Sequence, residues 1–96
     1  QISVGGNWTN GNTLWDSNDG YSPGTEILTF NGSADQIFTS NAAREEIGNL
    51  VIDKSAGEFK PVSTIDVKGN LLIQDGNWRD NHFPLTHYFE GDFTVA

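Results

Sequence analysis

The chain has 96 residues, 13 acidic and 5 basic side chains, a net charge of −8, and neither Cys nor Met. Phosphate binding needs clustered Lys and Arg; Arg44, Lys54, Lys60, Lys68 and Arg79 are scattered, which argues against nucleic acid and disfavours anionic membrane surfaces as partners. The lack of Cys excludes disulfide staples and thiolate zinc sites, and no apolar run approaches the roughly 20 residues of a membrane-spanning helix.

The length suits one domain, residues 1–96, with a thin core. Gln1 is not an initiator, so the chain reads as a mature or excised piece of something longer. Its first segment, Ile2-Ser3-Val4-Gly5-Gly6, is strand-like and leads into the triplet Gly6-Asn7-Trp8. Residues 10–25 read as a polar insertion holding Trp15, Tyr21 and the turn Asn18-Asp19-Gly20. Residues 28–34, LTFNGSA, lie on residues 50–56, LVIDKSA, at a shift of 22. Residues 40–49, SNAAREEIGN, read as a possible helical turn that Gly48 ends.

The clearest repeat follows. Gly48-Asn49-Leu50-Val51-Ile52 lies on Gly69-Asn70-Leu71-Leu72-Ile73, which lies on Gly91-Asp92-Phe93-Thr94-Val95. The glycines step by 21 and then 22 residues. A second column aligns Ile65-Asp66-Val67 with His87-Tyr88-Phe89, and Ile2-Ser3-Val4 resembles it. Gly76-Asn77-Trp78 is out of phase with both. Within each repeat the apolar period is two, so the bulky residue after Gly-Asn points inward, its neighbour outward and the next inward. Inward candidates are Ile2, Val4, Leu28, Phe30, Phe38, Leu50, Ile52 and Phe59, then Ile65, Val67, Leu71, Ile73, Trp78, Phe89, Phe93 and Val95.

Short strands, almost no helix and a period near 22 indicate an all-β chain wound as a parallel β-helix, a solenoid of about four coils. Stacked coils lie about 4.8 Å apart, so residues one repeat apart touch. Gly would recur where each coil bends with a backbone angle that a Cβ opposes. Asn or Asp would recur because stacked side chains hydrogen-bond along a column. The alternative is an antiparallel β-sandwich in which Gly-Asn marks hairpin turns.

Segments at both ends are strand-like and carry no cap, and solenoid ends need caps or further coils. Ile2, Ser3 and Val4 at one end, and Gly91, Asp92, Phe93, Thr94 and Val95 at the other, are therefore expected to be assembly edges that meet flanking repeats or identical copies end to end.

Three segments carry a resemblance. Thr29-Phe30-Asn31-Gly32-Ser33 is similar to "VTFNGS", Ile47-Gly48-Asn49-Leu50-Val51-Ile52-Asp53-Lys54-Ser55 to "F-x-NLTINKS", and Ile65-Asp66-Val67-Lys68-Gly69-Asn70-Leu71 to "VTVxGNL". Together they resemble a repeat of large secreted, adhesin-like surface proteins of the Bacteroidetes group, over residues 27–96 and, more loosely, 2–10. Residues 11–26 do not match, and Glu45-Glu46 and the loop from His82 to His87 depart from the pattern. The resemblance implies a right-handed β-helical stalk on the bacterial cell surface, with no catalytic residues to transfer. The acidic, Asn-, Gly- and Thr-rich composition agrees with secretion.

Asp75, Asp80, Glu90 and Asp92 gather in the last third with His82 and His87, but a sugar-cleaving site needs carboxylates converging on one face; solvated loop charge is the competing reading. Residues Asp16 to Asp19 resemble a calcium loop, although Gly20 comes one position early and no bidentate Glu follows. No other metal or cofactor is suggested. Trp15, Tyr21 and Tyr88 are candidates for stacking on sugar rings. No nucleophile set or phosphate loop is present. The expected function is a non-enzymatic extracellular module, a stalk or filament-forming solenoid. Alternatives are a carbohydrate-binding module and, last, a fragment of a polysaccharide-degrading enzyme.

Overall fold

A computed structural model describes residues 2–10, 27–41, 44–80 and 85–96. Its strands are β1 (Ile2–Val4), β2 (Trp8–Asn10), β3 (Ile27–Phe30), β4 (Gln36–Ser40), β5 (Glu45–Ile47), β6 (Asn49–Pro61), β7 (Ile65–Val67), β8 (Leu71–Trp78), β9 (Tyr88–Phe89) and β10 (Phe93–Val95). Every strand pair among the described residues is parallel, which rules out the antiparallel sandwich. The chain is an all-β parallel solenoid of about three turns. β1 and β2 lie below the full turns and β10 above them, so the coil falls short of the expected four.

The solenoid has three faces. The first stacks β1, β3, the start of β6, the start of β8, and β10; Ile2 lies on Leu28, Leu28 on Leu50, Leu50 on Leu71 and Leu71 on Phe93. The repeat read from the chain is therefore the physical stacking interval. The second face stacks β2, β4, the end of β6 and the end of β8, and the third stacks β5, β7 and β9. β6 and β8 turn the corner between the first two faces within one strand, with register shifts after Ile52 and Asp53. Gly57 (φ 75°) and Gly76 (φ 100°) take the backbone conformation that the corner needs and that a Cβ opposes.

Two expectations are corrected here. Residues 45–47 form strand β5, not part of a helical turn. Glu45 and Ile47 alternate inward and pair with β7, so ladder formation overrides the helix-favouring Ala-Ala-Arg-Glu-Glu composition. Ile2–Val4 stacks on Leu28–Phe30, placing it in the first face and not in the column of Ile65–Val67. The out-of-phase triplet also finds its place. Gly76-Asn77-Trp78 enters the second face, as does Gly6-Asn7-Trp8, whereas the triplets from Gly48, Gly69 and Gly91 enter the first.

The core contains Leu28, Phe30, Phe38, Ile47, Leu50, Ile52, Phe59, Ile65, Val67 and Leu71, all fully buried. An aromatic column runs up the second face. Trp8 stacks flat on Phe38 at 4.4 Å, Phe38 lies 6.1 Å from Phe59, and Phe59 meets Trp78 at 4.9 Å.

The recurrent Gly and Asx residues have separate reasons. Gly69 and Gly91 do not have positive φ, so the expected backbone-angle argument does not apply to them. Space selects them: a Cβ on Gly69 would collide with the Gly48 carbonyl and the Asn49 side chain, and one on Gly91 with their counterparts a coil higher, Gly69 and Asn70. The Asx column does form a ladder, but from side chain to backbone. Asn49 Oδ1 accepts the Asn70 N–H at 2.9 Å, and Asn70 Oδ1 accepts the Asp92 N–H at 2.9 Å. Gly69→Ala is expected to destabilise the fold by about 1–3 kcal/mol through overpacking against backbone that cannot retreat. Urea denaturation would check this, with Gly5→Ala, where a Cβ meets nothing, as the neutral comparison.

Candidate functional site

The solenoid's inward column breaks the surface at the β10 end. Inside the stack the alternating apolar residues are sealed by the coil above and the coil below. At this end no strand lies above β10 among the described residues, and Phe93 is 52% exposed and Val95 65% exposed. Between them and the last full turn lies a cleft of about 430 Å³, lined by Ile73, Gly76, Asn77, Trp78, His87, Phe89, Phe93 and Val95. Phe89 meets Trp78 edge-on at 6.1 Å and Phe93 at 5.1 Å. The other end is open to a smaller degree: Ile2 is 43% exposed, and Val4 and Trp8 are half-buried. Among the expected assembly edges, Ser3, Gly91, Asp92 and Thr94 are also exposed. β1 and β10 each pair on one side only among the described residues.

His87 forms one wall of the cleft, in the inward column above Ile65. Its Nδ1 accepts the Ile65 N–H at 3.1 Å, so the ring proton belongs on Nε2, which donates to Asp80 Oδ1 at 2.9 Å. Asp80 Oδ2 accepts the Leu85 N–H at 3.0 Å. Burial alone would raise the Asp80 pKa; the bonds from Leu85, His87 and Trp78 outweigh it and hold the carboxyl below its usual value. Both imidazole nitrogens are engaged, so His87 has no free nitrogen with which to deprotonate a nucleophile. The pair links Asp80 to Leu85 and His87 at the last turn.

A charged network covers the third face. Glu46, Asp66 and Tyr88 stack in register as outward residues of β5, β7 and β9. Arg44 Nη2 and Nε donate to Asp66 Oδ2 at 2.6 and 3.1 Å, and the guanidinium lies 4.3 Å from the centre of the Tyr88 ring. Lys68 Nζ bridges Glu90 at 2.7 Å, Asp66 at 3.1 Å and Glu46 at 3.4 Å. Asp66 is fully buried beneath these groups. Its burial would raise the carboxyl pKa, but Lys68 and Arg44 together hold it below the usual value. A depressed carboxylate contributes stability above its unfolded pKa and loses it as pH falls through the folded one. Asp66→Asn is therefore expected to lower stability by about 2 kcal/mol at pH 7. It should also flatten the decline that the wild type shows below about pH 4. Urea midpoints measured at several pH values would check both effects.

The corner between the first and second faces is also polar inside. Lys54 is fully buried, and its Nζ donates to Gly32 O at 2.7 Å, Ala34 O at 2.7 Å and Gln36 Oε1 at 2.8 Å. Gln36 Nε2 donates in turn to Val4 O at 2.7 Å and Gly6 O at 2.6 Å, joining three coils. Neither residue was singled out from the sequence. The signal was there: Lys54 shares the inward parity of Leu50 and Ile52, and Gln36 that of Phe38.

The sequence-derived candidates are dispersed. Tyr88 is 41% exposed but has Arg44 against one ring face, which removes half of the expected stacking surface. Trp15, Tyr21, Asp16 to Asp19 and His82 lie outside the described residues. Asp75 and Asp92 are exposed, Glu90 pairs with Lys68, and Asp80 faces His87. Among the described residues no group of three His, Cys, Asp or Glu could hold a metal ion. Comparison with protein-family models, curated proteins and solved structures found no match to this chain.

Proposed function

We propose that this chain is a non-enzymatic structural module, a β-solenoid segment of a stalk or filament outside the cell, whose ends are joints to further coils. The observation that carries this reading is the exposure of core-type residues at the β10 end, where Phe93 and Val95 continue the inward column of Leu71 and Ile73. An exposed apolar end flanked by strand edges that are unpaired among the described residues favours pairing with another strand. The resemblance to repeats of secreted bacterial surface proteins agrees with an extracellular stalk. Of the carbohydrate-binding candidates, Tyr88 keeps one open ring face and Trp15 and Tyr21 lie outside the described residues, so the observation in hand, the exposed apolar end, favours the joint.

End-to-end joining predicts assembly that depends on concentration. Light scattering should show the mean mass rising with protein concentration. The double variant Phe93→Asp, Val95→Asp should remain monomeric, because it places two charges in the joint. Both positions are exposed, so circular dichroism of the variant should match the parent. A parent chain that stays monomeric up to millimolar concentration would overturn self-joining.

A further inference from the structure

We propose that Asn31-Gly32 is a self-modification site, held unreactive by the corner between the first and second faces and released to deamidate when that corner opens. The chain contains two Asn-Gly pairs, Asn10-Gly11 and Asn31-Gly32, and the second lies within the described residues. In such a pair the glycine has no Cβ to shield its nitrogen. The Gly32 nitrogen, its proton lost to hydroxide, bonds to Asn31 Cγ; the Cγ–Nδ2 bond breaks, and ammonia leaves with a proton taken from water. Water then opens the resulting succinimide at either carbonyl. One product is aspartate. The other is isoaspartate, whose main chain runs through the side-chain carbon and is longer by that carbon.

The corner supplies both halves of the gate. Asn31 is exposed, so its amide meets water, whereas Gly32 is buried. The Gly32 N–H donates to Gln36 Oε1 at 2.9 Å, and the Gly32 carbonyl accepts from the Lys54 ammonium at 2.7 Å. On the preceding side the Asn31 N–H donates to Val4 O at 3.2 Å. Gln36 is itself fixed by its bonds to Val4 O and Gly6 O. A Cβ on Gly32 would collide with the Gly5 carbonyl, so this backbone is packed against the coil below. A buried, bonded N–H is neither deprotonated nor free to swing onto Cγ. Reaction therefore waits for an opening in which Gln36 and Lys54 let go, a local event of the kind that amide exchange detects. The isoaspartyl product displaces Gly32 from both partners and leaves buried groups unpaired. One opening thus becomes permanent, and residue 31 records it.

The test follows deamidation at Asn31 by peptide mapping while the full chain is incubated at mildly alkaline pH, beside a synthetic peptide of residues 28–35. The wild type is expected to react at least tenfold more slowly than the peptide. The slowdown should equal the open fraction that hydrogen exchange reports for the Gly32 amide, and the rate should stay flat in urea below the unfolding transition. Lys54→Met and, separately, Gln36→Leu, each shown to be folded by circular dichroism, should react at least tenfold faster than the wild type. Ile65→Ala lowers global stability from the third face, where Ile65 is fully buried, and should change the rate less than either corner variant. The isoaspartyl fraction should unfold at lower urea than the unmodified chain. A wild-type rate equal to that of the peptide, corner variants no faster than wild type, Ile65→Ala as fast as they are, or an isoaspartyl fraction as stable as the parent would each overturn the proposal. If the corner variants fail to fold, the urea series on the wild type decides: a flat rate supports the corner gate, and a rate that rises in step with global unfolding overturns it.

Discussion

Phe59→Ala is expected to lower the unfolding free energy by about 3–5 kcal/mol. Phe59 is fully buried and touches aromatic rings on three sides: Phe30 at 4.6 Å, Phe38 at 6.1 Å and Trp78 at 4.9 Å. Truncation removes transfer energy and leaves a cavity that stacked backbone, fixed by parallel ladders above and below, cannot collapse to fill. Domains of this size have roughly 5–15 kcal/mol in total, so the variant retains little margin. In a solenoid each coil contacts only its neighbours. Damage in the middle coil should therefore uncouple the two ends and broaden the urea transition. Phe93→Ala, at the half-exposed end, should lose less than about 1 kcal/mol. Urea denaturation followed by tryptophan fluorescence reads both; equal losses at the two positions would contradict the structure.

Lys54→Met should lose about 3 kcal/mol although the apolar stem is preserved. The side chain is buried, and its ammonium supplies donors to two main-chain carbonyls and the Gln36 amide oxygen. Without it, the carbonyls of Gly32 and Ala34 face a thioether methyl group, and buried acceptors without donors are penalised. Lys54→Arg should not rescue, because three acceptors converge on one point and a planar guanidinium cannot match them. Burial holds the Lys54 pKa below its usual 10.5. Between that lowered value and 10.5 the unfolded chain binds more protons than the folded one, so wild-type stability should rise with pH across this window. The methionine variant should lack the rise. Denaturation midpoints at pH 7 and through the alkaline range would test both statements.

The two predictions concern residues of the same parity, and only one of them was placed inside from the chain alone. Phe59 is apolar and lies in a period-two run, so an inward position follows from composition and alternation. Lys54 has the same alternation but a charge. Whether it folds inward depends on carbonyls contributed by residues 32 and 34, one coil below. Asp66 is the converse case. It points outward by alternation, yet Arg44 and Lys68, from neighbouring coils and corners, cover it completely. Ile47, another fully buried residue, was missed because helix-favouring neighbours obscured its alternation with Glu45.

The sequence by itself determined the winding. Gly-Asx-apolar triplets 21 and 22 residues apart mark the first face, and stacking those positions lets one coil's backbone approach the next while Asx oxygens reach its amides. Those requirements are local, repeat unchanged, and leave a visible trace in residue type. The tertiary structure decided which corner each triplet occupies, that Glu45–Ile47 extends as a strand, which polar side chains turn inward, and which residues line the cleft beside β10. Each of these depends on which atoms an adjacent coil brings within hydrogen-bonding or van der Waals reach. That is a property of register between segments some 20 residues apart, and no single segment carries it.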